Sequence, residues 1–243
     1  MKKGILVAIA IILLLFIGGI AYIYSSIGSV ISQSVAQAGT SITQTQVSVA
    51  SSEYSTTSGL AKLSEVKVAN PAGFSVGTAL NVAQVDLWID PESLNSGVII
   101  VKSVILQSPE VTYEIKDSTD NLRTLKKQIE DSLNRTQSKP GEKKFQFDQV
   151  HIKNGTVYVN SPDFNGARRT ATLGTISLTN LGKGQGGMTS AEFAHVLILE
   201  ILRETTIAAL NTDLPISDQA RNIMNGALDE TENAMKLLRN LLK

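Results

Sequence analysis

The sequence predicts an α+β protein, with an N-terminal transmembrane helix followed by a curved, mainly antiparallel β-sheet domain carrying three packing helices. Three observations predict it. An uncharged apolar run, Ile5 to Ile23, opens the chain. Strand-like alternation punctuated by turn residues fills the middle. Helical apolar stripes appear at 121–133, 190–210 and 218–242.

The opening run has Leu13, Leu14, Leu15 and Phe16 at its centre and is bounded by Ile5 and Ile23. About 20 residues at 1.5 Å rise cross a hydrocarbon core of about 30 Å. Lys2 and Lys3 precede it, and no other charge occurs before Glu53. Positive charge stays inside, so the N-terminus is expected in the cytoplasm and everything after Tyr24 across the membrane. Tyr22 and Tyr24 fall where an interfacial aromatic belt would sit. A cleaved signal peptide competes, because Ala36-Gln37-Ala38 has the small-x-small form of a cleavage site. That reading needs an apolar region of about 7–15 residues close to the cut, whereas this run is longer and a polar gap of about a dozen residues follows it.

The whole chain has 22 basic and 22 acidic residues and no cysteine. Such a balance offers no concentrated Lys and Arg for nucleic acid and no polybasic patch for anionic lipid. Thiol chemistry, disulfides and thiolate metal sites are excluded.

Residues 25–45 form a membrane-proximal helix or linker. Ile27, Val30, Ile31, Val35 and Ala38 keep helical spacing, and Gly39 is the expected stop. From 46 to 182 the chain reads as β-rich. Val47 and Val49 alternate with polar residues, as do Val66 and Val68. Val85, Leu87 and Ile89 point one way, and Asp86, Trp88 and Asp90 the other. Gly97–Leu106, apolar on both faces, reads as a central strand, and Val111, Tyr113 and Ile115 alternate cleanly after the Ser108-Pro109 turn. Short returns of this kind favour an antiparallel meander over βαβ units. One helix interrupts it, with Leu122, Leu125, Ile129 and Leu133 in a stripe and Asp120 or Asn121 as its cap. Strands resume at Phe145, Phe147, Val150 and Ile152. Asn154-Gly155 predicts a hairpin before Val157 and Val159, and a last strand spans about 170–179. Residues 183–243 hold a Gly-rich loop and a helical hairpin, whose first helix opens on the capping-box spacing Thr189-Ser190-Ala191-Glu192.

The search for chemistry returns no catalytic residue, cofactor site or metal site. The glycines at 182–187 lack the Lys-Ser/Thr pair that a phosphate loop needs directly after its last glycine. His151 and His195 sit on different elements, one solvent-facing and one partly buried in packing, and neither has a carboxylate at chelating spacing. Asp86 and Asp90 share a strand face and read as its solvated side. What remains is apolar surface, for which two uses compete. Helices can cover it as an ordinary core, or a curved sheet can leave one concave face open to acyl chains. The wall of such a face is expected from Val85, Leu87, Ile89, Val98, Ile100, Val111, Tyr113 and Ile115, on whichever face stays open.

The chain also resembles the AsmA-like proteins of the bacterial envelope, in particular short single-anchor members. The resemblance is strongest across Val66-Lys67-Val68-Ala69-Asn70-Pro71-Ala72-Gly73-Phe74. It continues through Ser108-Pro109-Glu110-Val111-Thr112-Tyr113-Glu114, Asn154-Gly155 and Gly186-Gly187-Met188-Thr189. It implies an inner-membrane anchor with the bulk of the chain periplasmic, relatedness to bridge-like lipid-transfer proteins, and no catalytic residues. The expected function is therefore non-catalytic lipid handling or envelope maintenance, with membrane lipid as partner and acyl chains shielded on an apolar sheet face. The alternative is an envelope scaffold that binds protein partners through its apolar surface or its last helix.

Overall fold

The computed structural model describes residues 29–135 and 143–241, so the anchor expected at Ile5–Ile23 lies outside the described residues. Among the described residues no helix is long and apolar enough to cross a membrane.

The chain is α+β. Helix α1 spans 29–43. It is followed by β1 (Val47–Tyr54), β2 (Leu60–Ala69), β3 (Thr78–Ile89), β4 (Val98–Gln107), β5 (Glu110–Lys116), the short β6 (Thr119–Asp120) and α2 (Asn121–Arg135). Then come β7 (Lys144–Lys153), β8 (Thr156–Asn160), β9 (Arg169–Thr172), β10 (Ile176–Leu181), α3 (Ser190–Asn211) and α4 (Asp218–Leu241). Gly39 does not stop α1 but lies inside it. A Cβ there would come 2.9 Å from Val47, so glycine lets the helix lie directly on β1.

The ten strands form one mixed, open sheet. Most neighbours are antiparallel, but β4 pairs with β7 and β5 with β8 in parallel. The expected meander is therefore corrected: α2 is the crossover of a βαβ-type unit that carries the chain from β5 back to a parallel neighbour. The expected Asn154-Gly155 hairpin is corrected with it. β7 and β8 do not pair with each other. Against β4 and β5 they hold one continuous register, Gln107↔Lys153 and then Glu110↔Thr156. The same continuity joins β4 to β5 against β3, through Gln84↔Gln107 and Asn81↔Glu110. It also joins β9 to β10, through Thr156↔Thr172 and Ile176↔Ile152.

The residues read as turns are instead creases within long strands. In register, the unpaired positions Ala50, Glu65, Ala83, Ser108, Asn154 and Gly174 fall in one row across the sheet. Glu65, Ser108 and Asn154 there adopt positive φ of 50°, 46° and 55°. Gly59 (φ 69°), Lys102, Asp148 and Asn180 (φ 56°) fall in a second such row, which meets β3 where its register against β4 shifts between Trp88 and Ile89. Each crease shifts the in/out alternation by one, so buried side chains run Val101, then Val104 and Leu106, then Val111, Tyr113 and Ile115 along β4 and β5.

The helices cover one face. α2 packs on β5, α3 on β8, β9 and β10, and α4 on α3. Phe147 of β7 stacks on Phe193 of α3 with centroids 4.0 Å apart. The rows facing them are apolar from edge to edge, for example Val47, Val68, Leu80, Val111, Val157 and Ala171. α3 opens on the full capping box between Thr189 and Glu192. Thr189→Ala is expected to cost about 1 kcal/mol, read as a lower urea midpoint with an unchanged slope.

Candidate functional site

The helix-free face is polar. One row across it reads Glu53, Lys62, Asp86, Ile105, His151 and Ser177, and the next Ser51, Ser64, Gln84, Gln107 and Lys153. Most of the apolar excess visible in the sequence is therefore spent on the helix side. This places the eight expected wall residues on two different faces. Val85, Leu87, Ile89, Val111, Tyr113 and Ile115 all point towards the helices, whereas alternation from buried Val101 puts Val98 and Ile100 on the other face.

The six on the helix side divide again by cover. Val111 and Tyr113 are 0 % exposed and Ile115 4 %, inside the core beneath the helix layer, so these three are packing residues and not part of an open wall. Val85 is buried as well. Leu87 and Ile89 are half-buried, and so are Val49, Val66, Val68 and Leu80 beside them on β1, β2 and β3. The missed signal is the pair of creases. A period-2 reading carried past Ala83 or Lys102 changes face without any mark in the hydrophobic pattern itself.

The other candidates resolve individually. Asp86 faces the helix-free side but is buried, and its carboxylate accepts from Gln84 Nε2 at 2.7 Å. Asp90 caps the short 3-10 helix Pro91–Asn95 and pairs with Lys102 at 3.5 Å. His151 is half-exposed and bonds Ser177 Oγ at 3.1 Å. His195 is more than packing, because its Nε2 lies 3.1 Å from Glu130 on α2. The glycine loop is a tight turn whose Gly182, Gly186 and Gly187 are all left-handed. Among the described residues no group of His, Cys, Asp and Glu could hold a metal ion.

One polar constellation went unread in the sequence because its members are spread over β5, α2, α3 and α4. Asp120 is 0 % exposed. Its Oδ1 caps α2 by accepting from the Arg123 backbone N–H at 2.7 Å, and its Oδ2 lies 3.5 Å from the Tyr113 hydroxyl. Burial pushes the Asp120 carboxyl up to about 6, against the pull of the Arg123 backbone N–H and guanidinium. Burial, with the Asp120 charge adding to it, lifts the Tyr113 hydroxyl well above the ordinary tyrosine range. Arg123 Nη2 donates to the Ile223 carbonyl of α4 at 2.7 Å. Beyond it, Lys126 reaches Glu130 at 3.3 Å and Glu230 at 3.8 Å. Beside the helix, Asn121 is also fully buried. Its Oδ1 accepts from Glu114 N–H, and its Nδ2 donates to Thr112 O and Asn70 Oδ1, which locks the 70–77 loop to the start of α2.

The described residues thus offer a half-buried apolar margin at β1–β3, a polar open face and a charged helix seam. No protein-family model matches this sequence, and no curated protein is similar enough to count as a relative.

Proposed function

We propose that this is a membrane-tethered, non-catalytic envelope protein that shields acyl chains along the helix side of β1–β3. The observation that carries the reading is the half-buried run Val49, Val66, Val68, Leu80, Leu87 and Ile89. It lies on strands beyond α2, α3 and α4, which rest on β5 and β8–β10, and among the described helices only α1 reaches this side, with Gly39 against Val47. Apolar side chains left part-exposed side by side mark a binding surface more often than a stable resting state. The two crease rows fit the same use. A bulge bends its own strand, and a row of them in register would bend the sheet towards the helices and give the margin its curvature. The resemblance to envelope lipid-handling proteins points the same way. The apolar run at Ile5–Ile23 would hold this margin near its lipid source.

A photo-crosslinking amino acid at Val66 in the full chain, activated in bacterial membranes, is expected to capture phospholipid. The same group at Ser64, one crease away on the polar face, is expected to capture none. Phospholipid adducts of equal yield at both positions, or none at Val66, would sink the proposal. Leu87→Glu should lower lipid carried through purification several-fold while shifting the melting temperature only slightly, because the position is half-solvated already.

A second reading has its own observation. The buried stripe of α4, Ala220, Met224, Ala227 and Thr231, gives way to half-exposed Ala234 and Met235 and to Leu237, which is 66 % exposed. The first part of α4 is core, and Ala234, Met235 and Leu237 beyond it would dock a protein partner. Truncation after Thr231 tests this docking: loss of a co-purifying protein with the fold intact supports a scaffold.

A further inference from the structure

We infer that Arg123, with the carboxylates of Asp120 and Glu230 on either side of it, forms a proton-controlled latch between α2 and α4. The geometry is that of a cation with two partners and a firm bond to neither. Arg123 Nε lies 3.7 Å from Asp120 Oδ2 and 3.5 Å from Glu230 Oε2, yet makes no hydrogen bond. Its other end is fixed, because Nη2 donates to the Ile223 carbonyl of α4. A small change in the balance of charge therefore decides whether this side chain leans into α2 or across to α4.

Asp120 sets that balance. It is closed off from water under Tyr113, Arg123 and α4, and Glu230 opposes its ionisation from the α4 side. Ionised, it draws Arg123 inward to offset a buried charge. Once protonated it needs no counter-ion, and the whole of the Arg123 charge is available to Glu230. The remaining charged neighbours cannot substitute for it. Lys126 is shared between Glu130 and Glu230, and Glu130 is also held by His195 of α3. Tyr113 stays neutral, since burial holds its hydroxyl far above the ordinary range.

The direction follows from linkage. A carboxyl raised in the closed state binds more protons there than in an open one, so falling pH closes the latch and rising pH loosens it. With Asp120 near 6 when closed and near its ordinary 3.8 when open, α4 gains up to about tenfold in closure between about pH 7.5 and pH 5.

Hydrogen exchange of the full chain in detergent, corrected for the intrinsic pH dependence of amide exchange, reads this directly. Amides of α4 up to Thr231 are expected to gain up to about tenfold protection at the lower pH. Asp120→Asn keeps the cap acceptor and is expected to show strong, pH-independent protection. Glu230→Gln, half-exposed and so harmless to the fold, removes the partner on α4 but not the burial of Asp120, so α4 is expected to lose protection at both pH values while most of the acid-dependent gain remains. Equal acid-dependent protection of α4 in Asp120→Asn, or none in the wild-type chain, overturns the latch.

Discussion

Gly59→Ala is expected to destabilise the protein by about 3 kcal/mol, a fall in melting temperature of roughly 10 °C for a chain of this size. Gly59 has φ 69°, where an alanine costs about 1–2 kcal/mol on its own. Here the added Cβ would also be driven into the backbone carbonyl oxygen of Ile89, with the Pro91 ring behind it. Backbone cannot swing aside as a side chain can, so β3 must move. That movement pulls on the hydrogen bond from Ile89 N–H to Gly59 O, 2.8 Å long, which closes the second crease at its β2 end. Gly166→Ala separates the two contributions. Its φ is 83°, but nothing lies within 4 Å of the added Cβ, so only the conformational cost of about 1 kcal/mol is expected. Thermal unfolding of the two variants side by side is the measurement. Equal, small losses would mean that the crease tolerates displacement and is not a fixed part of the sheet.

The creases also explain what could be read in the sequence and what could not. The helices α2, α3 and α4 were legible from local signals that tertiary structure did not override, whereas the stop expected for α1 at Gly39 was overridden by its packing on Val47. The Leu122, Leu125 and Ile129 stripe, the Thr189–Glu192 capping box and a start beside Asp218 all appear where their spacing places them. Strand existence was legible too, because alternation survives within each segment. Topology was not. Asn154-Gly155 carries hairpin chemistry, and Asn154 does take the left-handed conformation that such a turn requires. The chain uses that conformation for a bulge inside a strand that continues in the same direction of pairing, and only the register against β4 and β5 distinguishes the two outcomes. The wall residues failed for the same reason. Val98 and Ile100 share an alternation with each other but not with Val104, because the row through Lys102 intervenes. The Asp120–Arg123–Glu230 seam was illegible for another reason. Its members stand up to 110 residues apart, from Asp120 to Glu230, and are ordinary helix-surface types when read singly.

Tyr113→Ala is expected to cost about 3–5 kcal/mol, the largest single effect among side-chain truncations here. Tyr113 is among the largest fully buried side chains, at 0 % exposure in a core shared by β5, α2, α3 and α4. Removing the ring leaves a cavity that the surrounding sheet cannot close, since Val111 and Ile115 on the same strand are packed in their turn. The hydroxyl contributes far less. Its contact with Asp120 is 3.5 Å long, at the outer limit for a hydrogen bond, so Tyr113→Phe is expected to cost under about 1 kcal/mol. Urea unfolding of both variants checks the ratio, and lipid carried through purification provides the contrasting measurement. If Tyr113 belonged to an open acyl-binding wall, its truncation would be cheap in stability and costly in lipid. The buried position requires the reverse, and Leu87→Glu at the open margin is expected to behave the opposite way on both counts. The two variants together locate the boundary between the core that holds this sheet and the surface proposed to meet lipid.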